Sequence, residues 1–131
     1  MSFYINGVEP DIVGKQCKGF YLIQQQEGET ITDPANVAYL KFDEEWQKLC
    51  FDGETIFWKS GESPSEPVNT CLTSSLVLVN LNEFKGVVSH VLKAVGYESN
   101  NESVSAIFEF VDGVTIKFQH HSYDDYTSIN C

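Results

Sequence analysis

The chain contains no arginine, and its eight basic side chains are all lysines. Arginine is the residue best suited to bidentate contacts with phosphate groups. Nineteen carboxylates outnumber the lysines, and the formal net charge is -11. Because phosphate backbones and anionic lipids repel such a surface, the composition argues against direct binding to nucleic acids or membranes.

Long apolar segments are missing as well. The sequence has no run of apolar residues long enough for a membrane-spanning helix. Its first residues lack a basic start followed by an apolar stretch, so we expect no signal peptide and a cytoplasmic protein. The hydrophobic share of 42% and the aromatic share of 13% are typical of a globular protein. We therefore expect one domain spanning residues 1–131.

Common motifs of catalysis and cofactor binding do not occur. The four cysteines have no CxxC spacing, and His90 has alanine four residues later, so the usual zinc motifs are absent. No GxxxxGK[ST], GxGxxG or GxSxG pattern is found. We accordingly predict no catalytic residue, no bound metal and no cofactor, and we expect four free thiols.

The apolar residues that are present mostly recur at every second position, which is typical of β-strands. Residues 19–26 and 37–43 follow this pattern. Pro34 and Asn36 argue against a strand through the polar segment between them. Two further segments place an Asp-Gly pair between strand-like runs, which is the strongest short signal for a β-hairpin.

The pattern of apolar side chains assigns a different loop to each hairpin. A two-residue loop at Asp52-Gly53 gathers the apolar residues on one face, with the pairs Phe51–Glu54, Leu49–Ile56 and Gln47–Trp58. In the second hairpin, at Asp112-Gly113, only a three-residue loop gathers the apolar residues on one face. In that loop Gly113 is left-handed, and the pairs are Phe110–Val114, Phe108–Ile116 and Ala106–Phe118. Because a slip of one residue would reverse the faces, the pattern specifies each register.

One segment departs from the period of two. Its apolar residues are spaced as on one face of a helix: Phe84, Val87, Val88, Val91, Leu92 and Val95. With Asn80 placed to cap its start, this stripe predicts an amphipathic α-helix over about residues 82–95. The predicted fold class is α+β: a mainly antiparallel sheet of about seven or eight strands, with two Asp-Gly hairpins, packed on that helix.

The stretch FQHHSYDDY, residues 118–126, is the densest group of chemically versatile side chains. With Phe118 facing the core, His120 continues that face and His121 points the opposite way. Each face then offers one imidazole and one carboxylate, which are fewer than the three or four ligands that zinc takes. We interpret the stretch as a solvent-facing strand end that is available to touch a partner.

The stretch FDEEW, residues 42–46, also combines acids with aromatic residues. We interpret it as a solvated turn, although aromatic residues beside acids suit the centre of a protein interface. The two stretches together supply the predicted partner-binding residues: Asp43, Glu44, Glu45, Trp46, Tyr123, Asp124, Asp125 and Tyr126.

Strong acidity without a catalytic motif predicts a non-enzymatic protein that binds and neutralises a basic protein partner. The specific hypothesis is an immunity or antitoxin protein that inhibits a toxin, such as a nuclease with a cationic surface. Two alternatives stay open. One is a barrel-like domain that binds a small molecule in a pocket lined by Phe and Trp. The other is an enzyme that uses His120 or His121 with nearby carboxylates.

Overall fold

A computed structural model describes residues 3–131, and this part of the chain consists of ten β-strands and their connections, without a helix. The strands are β1 (Tyr4–Asn6), β2 (Cys17–Glu27), β3 (Thr30–Phe42), β4 (Glu45–Asp52), β5 (Thr55–Ser60), β6 (Ser74–Asn80), β7 (Leu92–Ser99), β8 (Ser103–Phe110), β9 (Thr115–His121) and β10 (Tyr126–Asn130). Accordingly, no segment within residues 3–131 forms a helix of the length and apolarity needed to cross a membrane.

The strands form two sheets that share one core. The larger sheet has the order β1-β5-β4-β3-β2-β6, and the smaller has the order β10-β9-β8-β7. Neighbouring strands are antiparallel except for β1 and β5. Aromatic rings from the two sheets meet edge to face, as Phe20 does with Phe118 and Trp58 with Phe108. The architecture is that of a β-sandwich.

The predicted α-helix over residues 82–95 is wrong, and the fold is all-β rather than α+β. Residues 81–91 form an irregular, turn-rich segment, and β7 follows it. Gly86 has φ 90° and Ser89 has φ 76°, which a right-handed helix excludes. Four of the six residues in the apolar stripe are valines, whose β-branched side chain lowers helix propensity.

A β-bulge explains why the last two residues of the apolar stripe, Leu92 and Val95, have a helical spacing although both lie in β7. The register with β8 shifts between Leu92 and Ala94. Leu92 and Val95 therefore both pack against the core although they are three residues apart. Asn80, the predicted helix cap, instead accepts a hydrogen bond from the amide of Asn82 at 2.8 Å. Such an Asx turn is the local alternative to a helix start.

The prediction for the second Asp-Gly hairpin is confirmed. Ala106 pairs with Phe118 and Phe108 with Ile116, and the amide of Phe110 donates to the carbonyl oxygen of Val114 at 2.8 Å across the loop. Gly113 has φ 95°, in the left-handed half of conformational space. The large apolar side chains of both strands are buried on one face.

The register predicted for the first Asp-Gly hairpin is wrong by two residues. Phe51 pairs with Ile56 rather than Glu54, and the loop consists of residues 53 and 54. Because the shift is an even number, the apolar side chains still share the face that was predicted for them. Leu49 and Trp58 are directly paired on that face and buried.

Strand β3 runs through residues 34–36, which were expected to remain irregular. Ile23 pairs with Val37, and Gln25 pairs with Asp33, so three residues of β3 lie opposite one residue of β2. A bulge accommodates proline because its residues leave the regular ladder of hydrogen bonds. The bulge lies directly after Asp33, a residue of the candidate site.

The segment over residues 61–73 is a long irregular connection that leads from β5 to β6. Three strands lie between these two in the larger sheet, so the connection passes over them. Near its start, Glu62 forms ion pairs with Lys48 at 3.3 Å and Lys59 at 3.2 Å. Near its end, the amide group of Asn69 exchanges two hydrogen bonds with the backbone of Leu76 and so covers part of the β6 edge.

We predict that Gly113→Ala destabilises the fold by about 1–2 kcal/mol, because its φ is one that L side chains rarely adopt. An added Cβ would meet no atom within 4 Å, so backbone strain alone sets this cost. Gly96→Ala in β7 is the matched control, since Gly96 has equally open surroundings without a positive φ. Urea denaturation of both variants measures the difference, and equal stabilities would contradict the assigned turn.

Candidate functional site at the acidic end

The structure places the two stretches that supply the predicted partner-binding residues far apart. Residues 43–46 follow the end of β3. Residues 123–126 lie near its beginning, because the next amide, that of Thr127, donates to Asp33. Asp33 and Phe42 are separated by roughly 25–30 Å at ~3.3 Å per strand residue. The two stretches thus lie at opposite ends of the sandwich.

Lysines partly neutralise the turn between β3 and β4. The Lys18 Nζ atom lies 3.3 Å from an oxygen of Glu44. The Lys41 Nζ atom lies 5.9 Å from the ring centroid of Trp46. Trp46 is half-buried and packs against Tyr21, with 5.8 Å between the ring centroids. This tryptophan belongs to the packing of the larger sheet and is not a free aromatic anchor.

The opposite end of the sandwich collects carboxylates that form no ion pairs with lysines among residues 3–131. The β2–β3, β4–β5, β7–β8 and β9–β10 turns lie there. Ser122 connects three of them, since its amide donates to the Glu102 carbonyl oxygen and its hydroxyl to the Gly53 carbonyl oxygen. We call this region the acidic end and define it by its carboxylates: Glu27, Glu29, Asp33, Asp52, Glu54, Glu102, Asp124 and Asp125. These are eight of the nineteen carboxylates. Lys117 of β9 shares a depression with Asn100 of the β7–β8 turn and pairs there with Glu98, which is not one of the eight.

A cleft of about 330 Å³ opens within the acidic end. It lies where β10 of the smaller sheet approaches β3 of the larger one. Its lining includes Asp33, Asp52, Asp125, His120, Phe51 and Thr127. Three carboxylates, an imidazole and an aromatic ring therefore face one small volume.

Asp33 joins the two sheets at this cleft. Its Oδ1 atom accepts a hydrogen bond from the Thr127 amide at 2.7 Å, and its Oδ2 atom accepts one from the Asn36 side chain at 2.8 Å. Only 6% of the Asp33 surface is exposed. Hydrogen bonds to a carboxylate are stronger than those between neutral groups, so this contact holds β10 of the smaller sheet against β3.

His120 lines the cleft and is buried, with 2% of its surface exposed. Its ring stacks on Phe51, with 5.7 Å between centroids and 4° between planes, and its Nδ1 atom lies 3.0 Å from the Thr127 hydroxyl oxygen. Burial lowers the pKa of His120 below its ordinary value of 6.5, although the nearby aspartates act in the opposite direction. The ring is therefore neutral at pH 7, and the 3.6 Å contact from Nε2 to Asp125 is not an ion pair there.

The turn after β9 decides which side chains meet. The prediction that His120 faces the core is confirmed, so the interpretation of a solvent-facing strand end is wrong for this residue. The interpretation of a solvent-facing strand end is right for Tyr123, which is 86% exposed. Asp125 adopts φ 52° and returns toward His120. His121 instead stacks on Tyr126 at 4.4 Å, so His121 and Asp125 do not form the pair that an extended strand would have placed on one face.

The sequence does not reveal that Asp33, Asp52 and Thr127 belong to a site. Each lies in a segment whose local pattern only indicated a strand or a turn. Among residues 3–131, no group of three or more His, Cys, Asp or Glu side chains is arranged to hold a metal ion. Comparison with known protein families, curated proteins and solved structures found no match to this chain. We therefore infer function from the geometry and charge of the acidic end.

A second groove, of about 410 Å³, shares Gln25 and Asn36 with the cleft. It contains the exposed thiol of Cys71, which lies 3.3 Å from the Thr73 hydroxyl oxygen. Hydrogen bonds, chiefly from Thr73, lower the pKa of Cys71 to about 6. Burial has the opposite effect on Cys17, whose pKa it raises to about 11.

We predict that Asp33→Asn lowers the free energy of unfolding by about 1–3 kcal/mol, since an amide has only one oxygen for the two donors that Asp33 satisfies. Asp43→Asn makes the same chemical change in an exposed turn and is the matched control. Urea denaturation compares the two variants. A loss in Asp33→Asn no larger than that in the control would show that Asp33 does not join the sheets.

Stability is also expected to depend on the protonation of His120. Because its pKa is lower in the folded state than the ordinary 6.5, the unfolded state binds more protons between these two values. Its contribution is complete above pH ~6.5 and is lost as the pH falls toward the folded-state pKa, by at most about 1.4 kcal/mol per pH unit. Denaturation between about pH 7.5 and pH 5.5 tests this, and His120→Gln should remove that part of the slope. An unchanged slope would exclude His120 as its source.

The Cys71 thiol should react with iodoacetamide at pH 7 much faster than the Cys17 thiol, because its thiolate form dominates and its side chain is exposed. Mass spectrometry of partially labelled protein measures both rates. Thr73→Val removes the main hydrogen bond to Cys71 and should shift the labelling rate toward higher pH. An unchanged pH profile in Thr73→Val would contradict the assigned cause.

Proposed function

We propose that this protein is a non-enzymatic binding protein that engages a basic protein partner through its acidic end. The observation that supports this most directly is the segregation of charge. Eight carboxylates lie at that end, and none of these eight forms an ion pair with a lysine in the described part of the chain. We place the protein in the cytoplasm, where its four free cysteines would stay reduced.

An uncompensated patch of one sign acts on a partner before contact. Complementary charge raises association rates from about 10⁵–10⁶ M⁻¹s⁻¹ toward 10⁸–10⁹ M⁻¹s⁻¹ at low salt. The field extends over a screening length of about 8 Å at physiological ionic strength. At the acidic end, the carboxylates belong to several turns that lie close together, so their fields add in the same direction.

The acidic end also offers an aromatic contact. Tyr123 is 86% exposed and lies in the β9–β10 turn beside Asp124 and Asp125. Exposed tyrosines are enriched among residues that carry the binding energy of protein interfaces. Tyr126 stacks on His121 and so supports the β9–β10 turn. We do not propose it as a residue that contacts the partner.

The proposed binding surface contains only some of the binding residues that were predicted from the sequence. It retains Tyr123, Asp124 and Asp125, and it assigns no part to residues 43–46, where Lys18 pairs with Glu44. Nothing in the fold or in the comparisons supports the narrower hypothesis of an immunity or antitoxin protein. The proposed partner is therefore defined by its basic surface alone.

A pull-down with three baits from an extract of the source organism tests the proposal. The baits are the wild type, an acidic-end triple variant (Glu54→Gln, Glu102→Gln, Asp124→Asn) and an opposite-end triple variant (Asp43→Asn, Glu44→Gln, Glu45→Gln). Both triple variants remove three negative charges. We expect a basic protein to be retained by the wild type and the opposite-end variant at ~50 mM salt, and to be lost at ~500 mM salt.

The acidic-end variant should not retain that protein. Equal retention by the two triple variants would show that the location of the charge is irrelevant, and no retention by the wild type would overturn the proposed function. Circular dichroism and unfolding midpoints of the three baits provide the control for folding.

A further inference from the structure

We infer that the cleft beside His120 binds one ammonium or guanidinium group, supplied by a lysine or arginine side chain of the basic partner. This inference rests on the proposed function and names the contact at its centre. It combines the charge around the cleft with a buried nitrogen atom that lacks a hydrogen-bond partner.

The carboxylates around the cleft are available to a cation. Asp33, Asp52 and Asp125 all line it. None of them has a lysine within ion-pair distance in the described part of the chain. The Asp125 side chain is 80% exposed, so it can move onto an entering group. Because no lysine of the described chain pairs with these carboxylates, an entering cation would meet no competing ion pair there.

The buried nitrogen atom is Nε2 of His120. It has no hydrogen-bond partner among residues 3–131, and it lies 3.6 Å from the nearest oxygen of Asp125. The Nδ1 atom lies 3.0 Å from the Thr127 hydroxyl oxygen, and the tautomer decides which of the two donates. The inference requires the tautomer with its proton on Nδ1, in which Nε2 carries a lone pair and accepts a hydrogen bond. Leaving such an atom unpaired in the interior is unfavourable, and a donor from a ligand would satisfy it.

These features select a particular ligand chemistry. An ammonium or guanidinium group donates hydrogen bonds and carries the positive charge that the carboxylates require. An anion would be repelled, and a neutral apolar group would leave Nε2 unpaired. Phe51 lines the cleft and stacks on His120, so its ring can contact the aliphatic part of a lysine or arginine side chain. A volume of about 330 Å³ is of the size that holds a side chain.

Two aspartates in exposed turns at opposite ends of the sandwich allow a matched test. Asp125 lines the cleft, whereas Asp43 lies in the β3–β4 turn, to which we assign no part in binding. Asp125→Asn and Asp43→Asn remove the same charge. The two aspartates have nearly the same positive φ, 52° and 53°, which asparagine tolerates, so neither change is expected to disturb the fold.

The probe is the peptide acetyl-Gly-Gly-Lys-Gly-Gly-amide, and the same peptide with norleucine in place of lysine is the neutral control. NMR titration measures binding to the wild type and both variants. We expect the lysine peptide to bind Asp43→Asn within about twofold of the wild type and Asp125→Asn about fivefold more weakly. The norleucine peptide should not bind. Equal losses in the two variants, or equal binding of the norleucine peptide, would overturn the inference.

Spermidine provides a second arm, since a free polyamine carries the same ammonium chemistry. Tighter binding of spermidine than of the lysine peptide, with the same dependence on Asp125, would overturn the assignment to a protein side chain. Failure here is distinguishable from failure of the proposed function. If the two variants behave alike while the wild type still captures a basic protein in a salt-sensitive way, the acidic end binds by its overall charge and not through the cleft.

Discussion

The hydrogen bond from the Thr127 amide to the Asp33 carboxylate is the contact on which the arrangement of the acidic end depends. It joins residues that are 94 positions apart and belong to different sheets. Thr127 in turn lies within hydrogen-bonding distance of His120, whose ring stacks on Phe51 of the larger sheet. A single buried carboxylate thus positions the strand, the imidazole and the cleft together. An unpaired carboxylate at this depth would be strongly unfavourable, so the surrounding donors are a structural requirement.

The segregation of charge follows from strand order. In antiparallel sheets successive turns alternate between the two ends of the strands, so the acids in the β2–β3, β4–β5, β7–β8 and β9–β10 turns accumulate at one end. Lysines occur in strands such as β4, β5 and β9, or near the opposite end, and several of them form ion pairs with neighbouring acids. The net charge alone therefore does not describe how charge is distributed over the surface. The topology converts a diffuse excess of acid into one unbalanced surface, which is what a basic partner would recognise.

Features of the fold that depend on local sequence could be predicted, and features that depend on long-range packing could not. The loop at Gly113 was predictable because strict alternation on both sides leaves one register compatible with a buried face. The helix prediction failed because the apolar stripe spans two different structures, an irregular segment with positive φ at Gly86 and Ser89 and a strand with a bulge after Leu92. Apolar spacing alone reveals neither feature. The cleft could not be derived from the sequence, since Asp33, Asp52 and His120 meet only through the packing of two sheets. Of the predicted binding residues, those of the β9–β10 turn lie at the acidic end and those of the β3–β4 turn do not.

The central claim is that the acidic end, and not acidity in general, is the recognition surface. A ¹⁵N-labelled sample titrated with the lysine pentapeptide tests it most directly, because each backbone amide reports its own surroundings. The account predicts that chemical-shift changes concentrate at Asp52, His120, Thr127 and residues 122–125, and that residues 43–46 remain unchanged. Changes of equal size at the two ends of the sandwich would contradict it.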